Sequence, residues 1–197
     1  MILNKQKNIK IFTKNYFHNL IDVINNIDID KIEQLSKNFE IRRKNNNKIF
    51  VIGNGGSAVN ASAMANDLGF DIIKKTKQKS FKIVSLTDNN AINSAISNDI
   101  GFENLFISQI QSQYEKGDML LALSVSGNSK NLIKASQWFK KNKGYVFGIL
   151  GFDGGKLKKI CSDYLIIKSK KGEYGPVEDL QLIINHILAH WYQLILK

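Results

Sequence analysis

The chain has 197 residues, 43% of them hydrophobic, and a single proline, which is enough apolar material for one sizeable core and excludes a disordered chain. Its one cysteine, Cys161, excludes an internal disulfide and a cysteine-based zinc knuckle, and fits a reducing, cytoplasmic setting. The formal net charge of +11 suits anionic partners, but arginine occurs only at Arg42 and Arg43, and the lysines are dispersed apart from Lys74, Lys75, Lys77 and Lys79. That distribution favours attraction of small anions over nucleic-acid readout.

From the N-terminus, Ile9, Phe12, Tyr16, Leu20, Val23 and Ile27 recur at intervals of three and four, which predicts an amphipathic helix. Lys5, Lys7, Lys10 and Lys14 interrupt the apolar core that a signal peptide would need, and no apolar run reaches the length of a membrane span. Asp28 or Asp30 caps a second helix, which presents Ile32, Leu35 and Phe39 on one face and Arg42, Arg43 and Lys44 at its negative end. Residues 1–45 thus form a helical segment outside any β–α repeat, and copies of the same chain are the expected cover for its apolar faces.

Over residues 46–197 the pattern changes. Apolar runs at 49–52, 81–86, 119–123, 145–150 and 164–167 alternate with helical stretches. Unbroken apolar runs suit strands covered on both faces, so the expectation is one α/β domain with a doubly wound, five-stranded parallel sheet. A last helix begins near Val177, places Leu180, Ile184, Ile187, Trp191 and Leu194 at helical spacing, and carries His186 and His190.

Ligands of such sheets bind beyond the carboxyl ends of the strands. Two small-residue turns fall there, Gly53-Asn54-Gly55-Gly56-Ser57 after the first run and Ser124-Val125-Ser126-Gly127-Asn128-Ser129 after the third. Glycines let the backbone approach a ligand, helix N-termini offer free N–H groups, and hydroxyls add neutral donors, a combination suited to a phosphate monoester. Taken alone, the second turn also reads as an ordinary helix start with one serine as its cap. Gly53-x-Gly55-x-x-Ala58 satisfies a relaxed dinucleotide fingerprint, but Asp71 ends a helical run and Asp88 lies too far along to complete it. With no Gly-Lys-Ser/Thr ending, a P-loop is excluded.

Together with Asn98-Asp99-x-Gly101-Phe102 and Gly151-Phe152-Asp153-Gly154-Gly155, these turns resemble the sugar isomerase (SIS) domain of the phosphoheptose isomerase family over nearly the whole chain. The resemblance implies a flavodoxin-like fold and a homotetramer, built with the N-terminal helices, whose active sites lie between subunits. It implies conversion of sedoheptulose 7-phosphate to D-glycero-D-manno-heptose 7-phosphate for lipopolysaccharide or capsule synthesis. Ser124, Ser126 and Ser129 resemble the phosphate-binding serines, with Val125 and Ser57 in the same turns. Asn54, Gly55, Gly56, Asn98 and Asp99 resemble residues that contact the sugar chain. The implied chemistry is a ketose–aldose proton shuttle through an enediol.

The family's glutamate ten residues after Ser57 is Asp67 here, its final-helix histidine is His186, and the glutamine eight residues before that is Glu178. These three are the expected catalytic residues, with Asp67 or Glu178 as base and His186 as acid. Ala63 stands where the family commonly has a histidine able to bind a metal. No cofactor is required on this reading; zinc on Asp67, Glu178 and His186 is the one metal arrangement to test, and it is poor in nitrogen and sulfur for zinc. Each candidate has a duller alternative: a packed His186, a fortuitous His190 beside it, a solvated Asp67, and Glu178 with Asp179 merely favourable at a helix N-terminus. The second functional class is a SIS protein that binds a phosphosugar or a protein partner without catalysis, as replication-initiation regulators do. Convergence of the acid–base groups with the phosphate turn separates the two.

Overall fold

The apolar runs form five strands: β1 (Lys48–Ile52), β2 (Lys82–Ser85), β3 (Met119–Ser124), β4 (Tyr145–Gly151) and β5 (Asp163–Ile167). The computed structural model describes residues 7–197; Lys5 and the rest of the first six residues of the expected N-terminal segment lie outside them. All neighbouring strands pair in parallel, in the order β2-β1-β3-β4-β5. Side chains alternate across the pleat, so Ile49, Val51 and Leu121 face one core while Phe50, Ile52 and Leu120 face the other. Every residue of β3 is buried, as the central strand of a sheet covered on both sides must be.

The first core lies beneath α2 (Ile29–Asn45), α3 (Gly56–Met64) and α9 (Gly175–Ile195), through Leu35, Phe39, Met64, Leu180 and Ile184. The second lies beneath α6 (Leu105–Gln113) and α7 (Lys130–Lys141), through Phe106, Ile110, Leu132 and Phe139. The remaining helices are α1 (Ile9–Asn25), α4 (Asp71–Thr76), α5 (Asn90–Asp99) and α8 (Leu157–Ile160). Asp28 takes the cap of α2, accepting from the Lys31 N–H at 3.3 Å, and Asp30 falls in the first turn. Among the residues of α1 only Val23 is buried, whereas Ile9, Phe17 and Ile21 are exposed. Pro176 sits in the first turn of α9, where its missing N–H leaves no partner wanting.

One element departs from the expected pattern. The helical run does not stop at Asp71: α3 passes into a π-helical turn, Ala65–Phe70, and continues as α4 with Ile72 fully buried. The wider turn shifts the apolar period, so the helical pattern reads in sequence as ending at Asp71 although the chain never leaves helical geometry. Among the described residues no helix is long and apolar enough to cross a membrane.

Leu35 has no exposed surface and ties α2 to the sheet. Leu35→Ala is expected to lower stability by about 2–5 kcal/mol, read as a lower urea midpoint at unchanged slope.

Candidate active site

The strand order reverses at β1, whose neighbours are β2 on one side and β3 on the other. The crossovers diverge there and leave a crevice beyond the carboxyl ends of β1 and β3, which is where both small-residue turns lie. A reciprocal amide pair joins them: Asn54 Nδ2 donates to Asn131 Oδ1 at 3.0 Å, and Asn131 Nδ2 donates to Asn54 Oδ1 at 2.9 Å. The shared cleft has a volume of ≈ 110 Å³ and is lined by Asn54, Ser57, Ser124, Val125, Ser126 and Ser129, with Tyr174 and Glu178 from the start of α9.

Two of the serine hydroxyls are held as acceptors, which leaves their protons free to donate. Ser124 Oγ accepts from the Gly127 N–H at 3.0 Å and Ser126 Oγ from the Asn128 N–H at 3.3 Å. Ser129 occupies the cap position of α7 but makes no capping bond through its side chain, so the ordinary-cap reading fails at this residue. Gly127 has φ +63°, and a Cβ there would lie 2.0 Å from the Gly154 carbonyl oxygen. Lys156 N–H donates to Asn128 Oδ1 at 3.1 Å and Leu157 N–H to the Gly127 carbonyl at 3.0 Å. The Gly151–Gly155 motif is therefore the bed on which the serine turn rests. Gly56 is the second close approach: a Cβ would stand 2.4 Å from the Glu178 carboxyl.

Glu178 is half-buried, and burial first, then the neighbouring Asp179 charge, push its carboxyl above the usual glutamate range. Asp179 accepts a hydrogen bond from the Tyr16 hydroxyl of α1; burial and this bond raise the Tyr16 phenol above its ordinary value. Asn60 of α3 donates to the Glu178 carbonyl at 2.9 Å and to Gln181 Oε1 at 3.2 Å, fixing α3 against α9. Asp67 lies on the π-helical turn, away from any helix end, and its Oδ2 stands 3.7 Å from His186 Nε2. Asp67 and His186 are thus brought together. Eight residues of helix place the Glu178 backbone about 12 Å from that of His186.

Asn98 and Asp99 do not line the cleft. They are exposed at the end of α5, where Asn98 Nδ2 donates to Asp99 Oδ1 at 2.8 Å. Gly101, at φ +95°, turns the chain so that Phe102 and Glu103 approach the site instead, in a hollow of ≈ 270 Å³ that shares Asn54 and Ser129 with the cleft. His190 is exposed one turn beyond His186, in a separate hollow with Lys75 and Gln193. Tyr174 and Asn131 escaped the sequence reading, although the place of Asn131, two residues into the helix after the serine turn, was a usable signal.

Within one chain the described residues do not assemble a metal site. Among the described residues no three His, Cys, Asp or Glu side chains cluster closely enough to share an ion. Ala63 offers no donor, and the Asp67 oxygens accept from Asn66 at 2.8 Å and Asn185 at 2.5 Å. The expected grouping of Asp67, Glu178 and His186 is not assembled within one chain, because Glu178 seats on Gly56 while the other two meet further along α9.

Gly127→Ala would place a side chain against the Gly154 backbone. It is expected to weaken inorganic phosphate binding about tenfold in calorimetry while the circular dichroism spectrum stays native.

The SIS domain family matches residues 15–151. The chain is 37% identical over 146 residues to phosphoheptose isomerase of Helicobacter hepaticus, covering 74% of this chain and 72% of the relative. It is 34% identical over 175 residues to phosphoheptose isomerase 2 of Campylobacter jejuni, covering 87% and 79%. The solved phosphoheptose isomerase of Neisseria gonorrhoeae superposes with a TM-score of 0.83 at 24% identity, over 95% of this chain and 100% of that one, a likeness of fold. On the sequence matches, the chain belongs to the phosphoheptose isomerase family of SIS-domain proteins.

Proposed function

We propose that the protein converts sedoheptulose 7-phosphate into D-glycero-D-manno-heptose 7-phosphate in the cytoplasm, supplying lipopolysaccharide or capsule synthesis, and that it does so with its own side chains. The observation that carries this reading is that α9 borders the hydroxyl-lined cleft at its start, through Glu178, and pairs its His186 with Asp67 further along. A phosphate on the serine turn leaves seven bonds to the ketone carbon, about 8 Å in an extended chain. In this reading the sugar runs from the serine turn along α9, with its reacting end toward Asp67 and His186.

In the forward direction Asp67 removes a proton from C1 while protonated His186 gives one to the C2 oxygen, forming the enediol. His186 then takes the proton of the C1 hydroxyl, and Asp67 returns its proton to C2, which leaves the aldose and both side chains as they began. Glu178, nearer the phosphate turn, faces the middle of the sugar as a hydrogen-bond partner for its hydroxyls. The homotetramer of the family is supported by apolar surface on α1 at Ile9, Phe17 and Ile21, and by a groove of ≈ 700 Å³ between α2 and α9 lined by Ile29, Ile41, Ile187 and Trp191.

The direct test is incubation of the purified protein with sedoheptulose 7-phosphate, with product identified by mass spectrometry and NMR. Aldose formation is expected; binding of the ketose with no aldose would place the protein among the non-catalytic phosphosugar binders. Asp67→Asn and His186→Ala are each expected to lower kcat by about 100-fold or more, whereas Ser126→Ala chiefly raises KM.

The raised Glu178 carboxyl carries a sign for pH. Below its pKa the group is neutral; above it, a carboxylate beside the middle of the sugar repels the substrate's negatively charged phosphate across the cleft. KM is therefore expected to rise as pH climbs through that pKa, and Glu178→Gln to remove the rise and lower KM several-fold at alkaline pH. A KM profile unaltered by the substitution would remove Glu178 from the cleft's electrostatics.

A further inference from the structure

Asn185 is a buried polar side chain that the proposed chemistry does not use. It has no exposed surface, precedes the exposed His186, and shares a face of α9 with Glu178 and Gln181 at helical spacing. Its amide donates to Asp67 Oδ2 at 2.5 Å, while its own oxygen has no hydrogen-bond partner among the described residues. Asp67 is thus the group this side chain serves. Asn66 donates to the other carboxylate oxygen at 2.8 Å, and His186 Nε2 stands 3.7 Å from Oδ2. Three nitrogen groups surround one carboxylate.

That arrangement holds an anion by hydrogen bonds. A cation placed on Oδ2 would meet the positive end of the Asn185 amide, and Ala63, one helical turn before Asp67, supplies no ligand to compensate. Aspartate also has a shorter arm than glutamate, so the base must be drawn toward α9 and kept there. A buried donor on the facing helix does this without a metal.

We propose that Asn185 is a positioning residue: it fixes the Asp67 carboxylate beside His186 by a hydrogen bond from a buried amide that takes the place of metal coordination. The kinetic consequence rests on the isomerase reading; the metal-binding consequence does not.

Two variants test it. Asn185→Leu keeps the branched outline and removes the donor; Asn185→Asp keeps the shape and puts a second carboxylate beside Asp67 and His186. With sedoheptulose 7-phosphate, Asn185→Leu is expected to lower kcat by about 10- to 100-fold at unchanged KM. Added to Asp67→Asn it is expected to cost nothing further, because the two residues act as one unit. Cobalt(II) alone, titrated without substrate and followed by visible absorption, is expected to give no stoichiometric site in the wild-type protein and a gained d–d band in Asn185→Asp. A higher KM at unchanged kcat, additive losses in the double variant, or wild-type binding of cobalt as tight as that of Asn185→Asp would each overturn the proposal. If the wild-type protein turns over no ketose phosphate, the proposed function falls, and the cobalt comparison still decides this inference, including where Asn185→Leu fails to fold.

Discussion

The site depends on one reciprocal contact, the paired amides of Asn54 and Asn131. Each belongs to a turn at the end of a different strand, and the crevice between β1 and β3 exists only because the crossovers part there. Divergence makes room but gives no reason for two loops to keep a fixed separation. Two parallel hydrogen bonds between planar groups do, in distance and in orientation. With that separation set, Ser57 from one turn and Ser124, Ser126 and Ser129 from the other address the same small volume. The start of α9 closes the cleft because Gly56 lets Glu178 sit against the backbone of α3.

The electrostatics of the cleft differ from those of the chain as a whole. The net charge is +11, yet the cleft is lined by neutral donors and one carboxylate. In the proposed function the lysines supply a diffuse field that draws in small anions, and hydroxyls and backbone N–H groups are the short-range donors available to hold them. A site that must let a phosphorylated product leave gains from this division, since a buried lysine or arginine would grip the phosphate more strongly than turnover allows.

Much of this was legible in the chain itself. β1, β3 and β4 announce themselves as unbroken apolar runs because a strand covered on both faces has no polar side, and the two turns stand out because few residue types tolerate such backbone. What stayed hidden has physical causes. The π-helical turn breaks the period by which the helix would have been followed past Asp71. The Asn98-Asp99 motif is visible in sequence, but the direction taken by the chain at Gly101 is not, and it carries Phe102 and Glu103 to the site in their place. Asn185 reads as one more polar residue in a mostly apolar helix; its partner Asp67 is 118 residues away, beyond the reach of any local pattern. Pairing of Asp67 with His186 was expected only through resemblance, since nothing in their spacing brings them together.

The wide turn at Ala65–Phe70 also separates two mechanical obligations. On its upstream side, helix phase is dictated by the cleft, through Gly56, Ser57 and Asn60; on its downstream side it is dictated by Ile72 in the hydrophobic interior. A continuous α-helix would lock those phases together at about 100° per residue. The surplus residue acts as a slip joint, so that insertions or deletions in this stretch can rotate the carboxylate-bearing segment without disturbing either the ligand-facing loop or the sheet packing. A single-residue length change here would turn Asp67 about the helix axis relative to α9 while the scaffold on either side stayed as it is.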